Sequence, residues 1–213
     1  CKFLEFNFKE HYELYMCCKK NKISYSTSLW EKKSAENFLK TKIKCDFLKI
    51  PSACNLDFEL LEILANKFKG KIHLSLGMTK INEIEKIVEF FIKKNRNKDL
   101  VLYSCTSTYP SDFKDIGLLD IKKLRERFSK TIHDIGFSGH HLGIAIDIAA
   151  YALGANYVER HFTLDRTWKG TDHAASLEPS GLTKLARDLK NTFKTMHEKK
   201  ELSQSELIQR KKL

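Results

Sequence analysis

The chain has 213 residues, enough to bury the core of one domain. Its 38 Lys and Arg against 27 Asp and Glu give a formal net charge of +11, but no basic strip is interleaved with aromatic residues. A Lys-rich solvated surface is therefore favoured over a nucleic-acid-binding module, which stays the alternative from another class. No apolar run has membrane-spanning length and the six Cys follow no metal-binding spacing, so a reduced, cytoplasmic location is predicted.

Strand-like and helix-like segments alternate along the chain. Six strands are predicted, at residues 22–27, 45–50, 71–76, 100–105, 131–137 and 156–162. Apolar residues at helical spacing predict helices at residues 8–21, 31–40, 56–68, 81–92, 118–128 and 142–153. Repeated βα units form either an open doubly wound sheet or a closed barrel, and periodicity alone does not choose between them.

Hydroxyl side chains and one lysine recur at or just after the ends of these strands. They are Thr27, Lys49, Ser52, Ser75 and Ser138. The carboxyl ends of parallel strands meet at one edge, where open α/β sheets and α/β barrels bind their ligands. Hydroxyl groups and an ammonium group suit the oxygens of phosphate and carboxylate. For any single Ser or Thr, ordinary turn chemistry is the competing explanation.

Two histidines mark the ends of the last two predicted strands. His140 follows the strand at 131–137, and His161 closes the strand at 156–162, so both imidazoles are expected at the same edge. Two neutral imidazoles suit a divalent ion such as Mn, Co, Fe or Zn, with positions left open for substrate or water. Asp172 is a third candidate for this site. The competing explanation is that these are polar loop residues bonded to the backbone.

Three separated blocks around these residues resemble the sialic acid synthases. The blocks are GFSGH at 136–140, ERHFTLD at 159–165, and GTDH at 170–173 with ASLEP at 175–179. That family condenses phosphoenolpyruvate with an N-acylated hexosamine to give a nine-carbon 2-keto sugar acid. The resemblance implies an α/β fold of the TIM (β/α)8 barrel type, with about six of the eight βα units present.

The resemblance also implies roles for individual residues. His140 and His161 would hold a divalent metal, most simply Mn with Mg or Co as options, and would be catalytic together with Asp172. Tyr109 and Asp172 would lie near the sugar. Cys54 stands where many members of the family carry an acidic residue, so either a sugar-contacting carboxylate is replaced or the acceptor differs. Phosphoenolpyruvate would contact Thr27, Lys49, Ser52, Ser75 and Ser138.

The resemblance further predicts how the protein is organised and what it does. Residues 1–195 would form an N-terminally truncated catalytic barrel domain, and residues 196–213 a polar tail or linker towards a C-terminal antifreeze-like domain. The predicted reaction is a metal-dependent condensation with N-acetylmannosamine that releases phosphate, in a homodimer without nucleic acid or membrane as partner. The alternatives are a synthase for N-acylneuraminate 9-phosphate, legionaminic or pseudaminic acid, a keto-acid aldolase that uses Lys49 as a Schiff base, and an inactive relative kept for assembly.

Overall fold

All strands of this computed structural model, which describes residues 5–213, belong to one parallel sheet. Its five strands are hydrogen-bonded in sequence order, each parallel to the next. Helices make the connections, as parallel pairing requires. The strands are β1 Phe47–Ile50, β2 Lys71–Ser75, β3 Leu100–Cys105, β4 Asp134–Gly139 and β5 Tyr157–Arg160.

Six of the eight helices in residues 5–213 lie close to the predicted ranges, and α7 and α8 come after the last of those ranges. The ends of the helices follow local capping chemistry. Asn7 accepts from the first turn of α1 while Glu10 bonds back to the Asn7 amide, which completes a capping box. Pro179 occupies the start of α7, where its missing N–H costs nothing. The helices are α1 Phe8–Lys20, α2 Lys32–Leu39, α3 Phe58–Lys67, α4 Ile81–Lys93, α5 Asp120–Phe128, α6 Ala145–Ala152, α7 Pro179–Thr195 and α8 Gln204–Arg210.

The sheet curls strongly towards one face. β1 and β5 are the two edge strands, which in a flat sheet would be separated by four strand spacings of about 4.8 Å each. Lys49 on β1 nevertheless places its Nζ 2.9 Å from Oε1 of Glu159 on β5. The strands therefore form a half-barrel whose concave face brings the edge strands together.

The two faces of the half-barrel differ in chemistry. Most outward-pointing residues of the strands are aliphatic or aromatic and are buried under the helices, as Leu48, Ile72 and Leu102 show at 0% exposure. Residues at alternate positions point inward, where Lys49 lies opposite His73 in the register. The core of the domain thus lies between sheet and helices, and the concave face is left for polar groups.

The predicted strand at 22–27 is wrong. Instead of a strand, the structure has one isolated parallel bridge, between Ser28 and Lys49, just beyond this segment. Continuing the ladder would require the Thr27 amide to bond to the Phe47 carbonyl, but the Ser26 hydroxyl donates to that carbonyl at 2.9 Å. A side-chain hydroxyl here bonds to the carbonyl that the next bond of the ladder would use. The described residues therefore contain five strands, not six.

The carboxyl-terminal part adds two helices after the last strand of the half-barrel. α7 ends at Thr195 and α8 follows as a short exposed helix, and the division into domains at residue 195 stays a prediction. Among residues 5–213, no helix is long and apolar enough to cross a membrane.

Candidate active site

A charged cluster lies on the concave face near the carboxyl ends of the strands. Lys49 Nζ donates to Ser75 Oγ at 2.7 Å and to Glu159 Oε1 at 2.9 Å. Ser138 Oγ donates to the same Glu159 oxygen at 2.8 Å. The side chain of Lys49 is 10% exposed and that of Glu159 is 38% exposed, so water reaches the carboxylate more easily than the ammonium. Four different strands therefore converge on one ion pair.

The cluster rests on an aromatic layer deeper in the half-barrel. The Lys49 ammonium lies 5.3 Å from the centroid of the Tyr103 ring, within range of a cation–π interaction. The Tyr103 hydroxyl lies 2.7 Å from His73 Nδ1. Burial lowers the pKa of His73 to about 4, so this imidazole stays neutral and places no second cation beside Lys49.

The other two predicted phosphoenolpyruvate ligands border the cluster. Ser52 Oγ accepts from the Gly77 amide at 3.0 Å, and the Thr27 carbonyl accepts from the Lys49 amide at 3.1 Å. A Cβ on Gly77 would lie only 2.0 Å from Ser107 Oγ and 2.7 Å from Ser52 Oγ, so glycine is required for this close approach. Ser107 Oγ is buried and makes no hydrogen bond with any residue in the described range. The structure thus groups three serine hydroxyls at this edge, counting Ser75.

His140 and His161 lie side by side. His140 directly follows β4 as predicted, whereas β5 ends one residue before His161, which was expected to close it. Their ring centroids are 5.2 Å apart, and the Tyr109 ring packs 4.1 Å from His140 and 5.6 Å from His161. His140 Nδ1 lies 2.7 Å from the Thr106 carbonyl, which can only accept, so Nδ1 carries the proton and Nε2 keeps its lone pair. Burial lowers the pKa of His140, which favours the same neutral form. A neutral imidazole with a free Nε2 is the form that ligates metal ions.

Asp172 lies beside this pair without bonding to it. Its Oδ2 is 3.7 Å from His161 Nδ1, beyond hydrogen-bond distance, and its side chain is 48% exposed. It immediately precedes the short turn His173–Ala175. Across residues 5–213, no group of three or more His, Cys, Asp or Glu side chains is placed to hold a metal ion together. The two imidazoles fit a metal as a pair of ligands, with its other positions left to substrate or water.

Sequence reasoning missed Glu159, although it begins one of the matched blocks. The available signal was its position two residues before His161, because alternation along a strand directs residues two apart to the same face. Cys54 behaves differently. It lies in the turn Ser52–Cys54, and its thiol donates to the Trp30 carbonyl at 3.2 Å, away from the cluster around Lys49.

A sequence model described as the NeuB family matches residues 1–201 of this chain. The chain belongs to the NeuB family. The resemblance to sialic acid synthases is thereby confirmed, and the relatives of this NeuB-family chain bear names that agree with it.

Three relatives give the extent of the similarity. The chain is 39% identical over 189 residues to the N-acetylneuraminate-9-phosphate synthase of Drosophila melanogaster, covering 89% of this chain and 49% of that protein. It is 35% identical over 194 residues to the N,N'-diacetyllegionaminic acid synthase of Campylobacter jejuni, covering 91% of this chain and 56% of that protein. The chain also superposes on the crystal structure of N-acetylneuraminic acid synthetase from Leptospira borgpetersenii in complex with citrate. The TM-score is 0.84 at 33% identity, and the match covers 97% of this chain and 70% of that chain. The chain thus spans about half the length of the curated relatives it matches.

Proposed function

We propose that this chain carries an active site that condenses phosphoenolpyruvate with an N-acylhexosamine, giving a nine-carbon 2-keto sugar acid and free phosphate. The observation that supports it most directly is the convergence of Lys49, Ser75, Ser138 and Glu159 on the concave face. Membership of the NeuB family agrees with it. We extend the proposal to the closed eight-stranded TIM barrel, the homodimer and the cytoplasmic location that the family implies for a whole protein.

In this proposal Lys49 and the neighbouring hydroxyls bind the anionic substrate. Phosphoenolpyruvate carries a phosphate and a carboxylate, and an ammonium surrounded by hydroxyl donors matches both groups. Ser75, which accepts from Lys49, keeps its own proton to donate. Ser52, Ser138 and Thr27 supply the remaining predicted contacts. The largely buried position of Lys49 strengthens its attraction for an anion, because little water screens it.

Glu159 is suited to handle a proton at the carbon that loses phosphate. Its carboxylate is held by Lys49 and Ser138 and is still reached by water. A carboxylate in that position can orient a water molecule and accept its proton through a carboxylate oxygen. Attack of C3 of phosphoenolpyruvate on the acceptor aldehyde leaves C2 electron-poor, water adds there, and phosphate leaves with cleavage of its C–O bond. Glu159 takes one proton from that water, and an equivalent proton is delivered to the former aldehyde oxygen, which becomes a hydroxyl. The remaining hydroxyl proton at C2 leaves with the phosphate as the C2 ketone forms.

His140 and His161 would hold the divalent metal, for which Mn is proposed, with Mg or Co as options. Bound there, the metal would polarise the acceptor aldehyde oxygen as a Lewis acid. The Thr106 carbonyl fixes the tautomer of His140, which is the usual task of a group behind a metal ligand. Tyr109 packs against both rings and limits their rotation.

The sugar is proposed to lie against Tyr109 and Asp172, at the exposed rim of the site. Tyr109 is 42% exposed, so it offers an aromatic surface to a ligand. N-acetylmannosamine is the proposed acceptor. A second candidate is its 6-phosphate, favoured by the 39% identity to a synthase named for the 9-phosphate product. A keto-acid aldolase is disfavoured, because the Lys49 amine is engaged by Glu159 and Ser75 and is not free to attack a carbonyl carbon.

The test is phosphate release from phosphoenolpyruvate with N-acetylmannosamine, its 6-phosphate, or a diacetamido hexose as the acceptor. Each reaction is run after chelation and again with added Mn. We expect metal-dependent release with one acceptor, abolished in His140→Ala and His161→Ala. His133→Ala is the matched control, because His133 is an exposed histidine outside this group and should retain activity. Folded protein that releases no phosphate with any acceptor would contradict the proposal, and borohydride trapping with pyruvate would then test the aldolase.

A further inference from the structure

Arg160 is a buried cation on the outer side of the sheet, directly behind the histidine pair. It is the last residue of β5, and its side chain is 3% exposed. Its neighbours Glu159 and His161 point to the concave face, so Arg160 points the opposite way, as alternation along a strand requires. None of the roles proposed above uses it.

The guanidinium of Arg160 binds three separate segments of chain. Nη1 donates to Asp147 Oδ2 at 2.6 Å and to the Gly143 carbonyl at 2.8 Å. Nη2 donates to the His141 carbonyl at 2.7 Å and to the Ala175 carbonyl at 3.2 Å. The fixed fork of an arginine suits such a set of acceptors, whereas a lysine ammonium is a single point charge.

Two of those segments and the strand of Arg160 itself each adjoin one residue of the candidate site. His141 follows His140 directly, and Arg160 itself precedes His161. Ala175 ends the turn that follows Asp172, and its amide bonds back to the Asp172 carbonyl at 3.1 Å. One side chain therefore links the backbones that position His140, His161 and Asp172.

Stability alone is a poor explanation for this arrangement. Asp147 and His141 are both fully buried, and His141 Nε2 lies 3.2 Å from Arg160 Nη1. Within the described part of the chain, three atoms of the group lack hydrogen-bond partners, namely His141 Nδ1, Asp147 Oδ1 and Arg160 Nε. Replacing a buried ion pair by apolar packing of the same volume is often neutral or stabilising, and in some proteins such pairs are retained because they fix one conformation.

We propose that Arg160, held by Asp147, is a positioning residue that fixes His140 and His161 relative to each other. As far as metal binding is concerned, this rests on the proposed function, but the position of the rings can be measured without any metal. Losing the fork would free the loop after β4 and the turn near Asp172 to move independently of β5.

The test compares Arg160→Lys and Asp147→Asn with the unchanged protein, using two measurements. The first is the 15N spectrum of the histidine rings without metal, in which His140 should show one protonated Nδ1 and one unprotonated Nε2. We expect both variants to shift and broaden the His140 or His161 ring signals. The second is Co²⁺ titration followed by its visible absorption, in which we expect affinity to fall by about 10-fold to 100-fold, as for other groups behind metal ligands.

Arg96→Lys is the matched control. Arg96 is also largely buried and its guanidinium binds the carbonyls of Ala65, Phe68 and Gly70, but it lies before β3, at the opposite end of the sheet. Both Arg96→Lys and Arg160→Lys should lower the midpoint of thermal unfolding. Only Arg160→Lys should alter the histidine spectra and the Co²⁺ affinity.

The outcomes separate this inference from the proposed function. Folded Arg160→Lys and Asp147→Asn proteins with unchanged histidine spectra and Co²⁺ affinity would overturn the positioning role. Equal effects of Arg96→Lys on both measurements would overturn it too, because the response would then be general loosening. A third outcome is that the variants alter the histidine spectra while the unchanged protein binds no Co²⁺. That result would support the positioning role and refute the metal site.

Discussion

Adjacent residues of β1 serve opposite faces of the half-barrel. Leu48 and Ile50 point outward and are fully buried under the helices, whereas Lys49 between them points inward and binds Ser75 and Glu159. The interiors of (β/α)8 barrels are usually filled by branched aliphatic side chains. Here the inner face instead carries a charged cluster above a layer of His73 and Tyr103. The outer face should therefore set stability and the inner face chemistry, and substitutions on a single strand can separate the two.

The largest expected effect is on the inner face. Lys49→Met should lower kcat/KM for phosphate release by about 100-fold to 1,000-fold, because a preorganised cation next to the reacting group is lost. The measurement is phosphate release at saturating and limiting phosphoenolpyruvate. Lys44→Met removes an exposed lysine just before the same strand and should leave kcat and KM for phosphoenolpyruvate unchanged. Activity of Lys49→Met within a few-fold of the unchanged protein would remove Lys49 from the proposed site.

On the outer face, Leu48→Ala should destabilise the fold and spare the chemistry. Removing a fully buried leucine side chain leaves a cavity, and the free energy of unfolding should fall by about 3 kcal/mol. Urea unfolding followed by circular dichroism measures it. The protein that stays folded at low temperature should keep kcat near its original value. A large loss of kcat in folded protein would mean that the two faces of β1 are not independent.

Periodicity in the sequence predicts much of this fold, because the apolar pattern marks the residues that are buried between the outer face of the sheet and the helices. The apolar runs around Leu48, Leu74 and Leu102 place three strands correctly, and helical spacing places the helices between them. It fails at residues 22–27, whose alternation resembles a strand. There the structure has one isolated bridge and a bond from the Ser26 hydroxyl to the Phe47 carbonyl, neither of which a periodic pattern records.

The candidate site is predicted in its parts but not in its contacts. Strand ends locate Lys49, Ser138 and His140, because parallel strands end at one edge. The pairing of Lys49 with Glu159 depends on the curl of the sheet, a property of the packed structure that brings the two edge strands together. The sequence therefore identifies candidate residues without showing which of them touch.

The inner face should also make stability depend on pH, through His73. Its folded-state pKa of about 4 lies below the ordinary value of 6.5, so the unfolded chain binds its proton more readily. The stabilisation is complete above about pH 6.5 and is lost as pH falls towards 4. Between pH 7 and about 4.5 the difference amounts to about 2 kcal/mol. The charged groups around it are Lys49, Lys71, His133 and Glu159.

His73→Gln tests this, because glutamine keeps a polar group near Tyr103 and does not titrate. The free energy of unfolding of the unchanged protein should fall between pH 7 and about 4.5 by about 2 kcal/mol more than that of the variant. The exposed His133→Gln should retain the original pH dependence. Parallel curves for the unchanged protein and His73→Gln would show that His73 titrates normally.

The smallest effect expected is at Gly136, where the inner face leaves no room for a methyl group. A Cβ there would lie 2.7 Å from two carbons of the Tyr103 ring, so Gly136→Ala must displace that ring. We expect a loss of about 1–2 kcal/mol, measured by urea unfolding, together with a change in the near-ultraviolet circular dichroism of tyrosine. Gly181→Ala is the opposite case, since its Cβ would meet Leu177 at an ordinary 3.4 Å within α7. Alanine is favoured over glycine in helices, so Gly181→Ala should raise the free energy of unfolding by up to about 1 kcal/mol. If both substitutions changed the free energy of unfolding in the same direction, the contact with Tyr103 would not constrain the inner face.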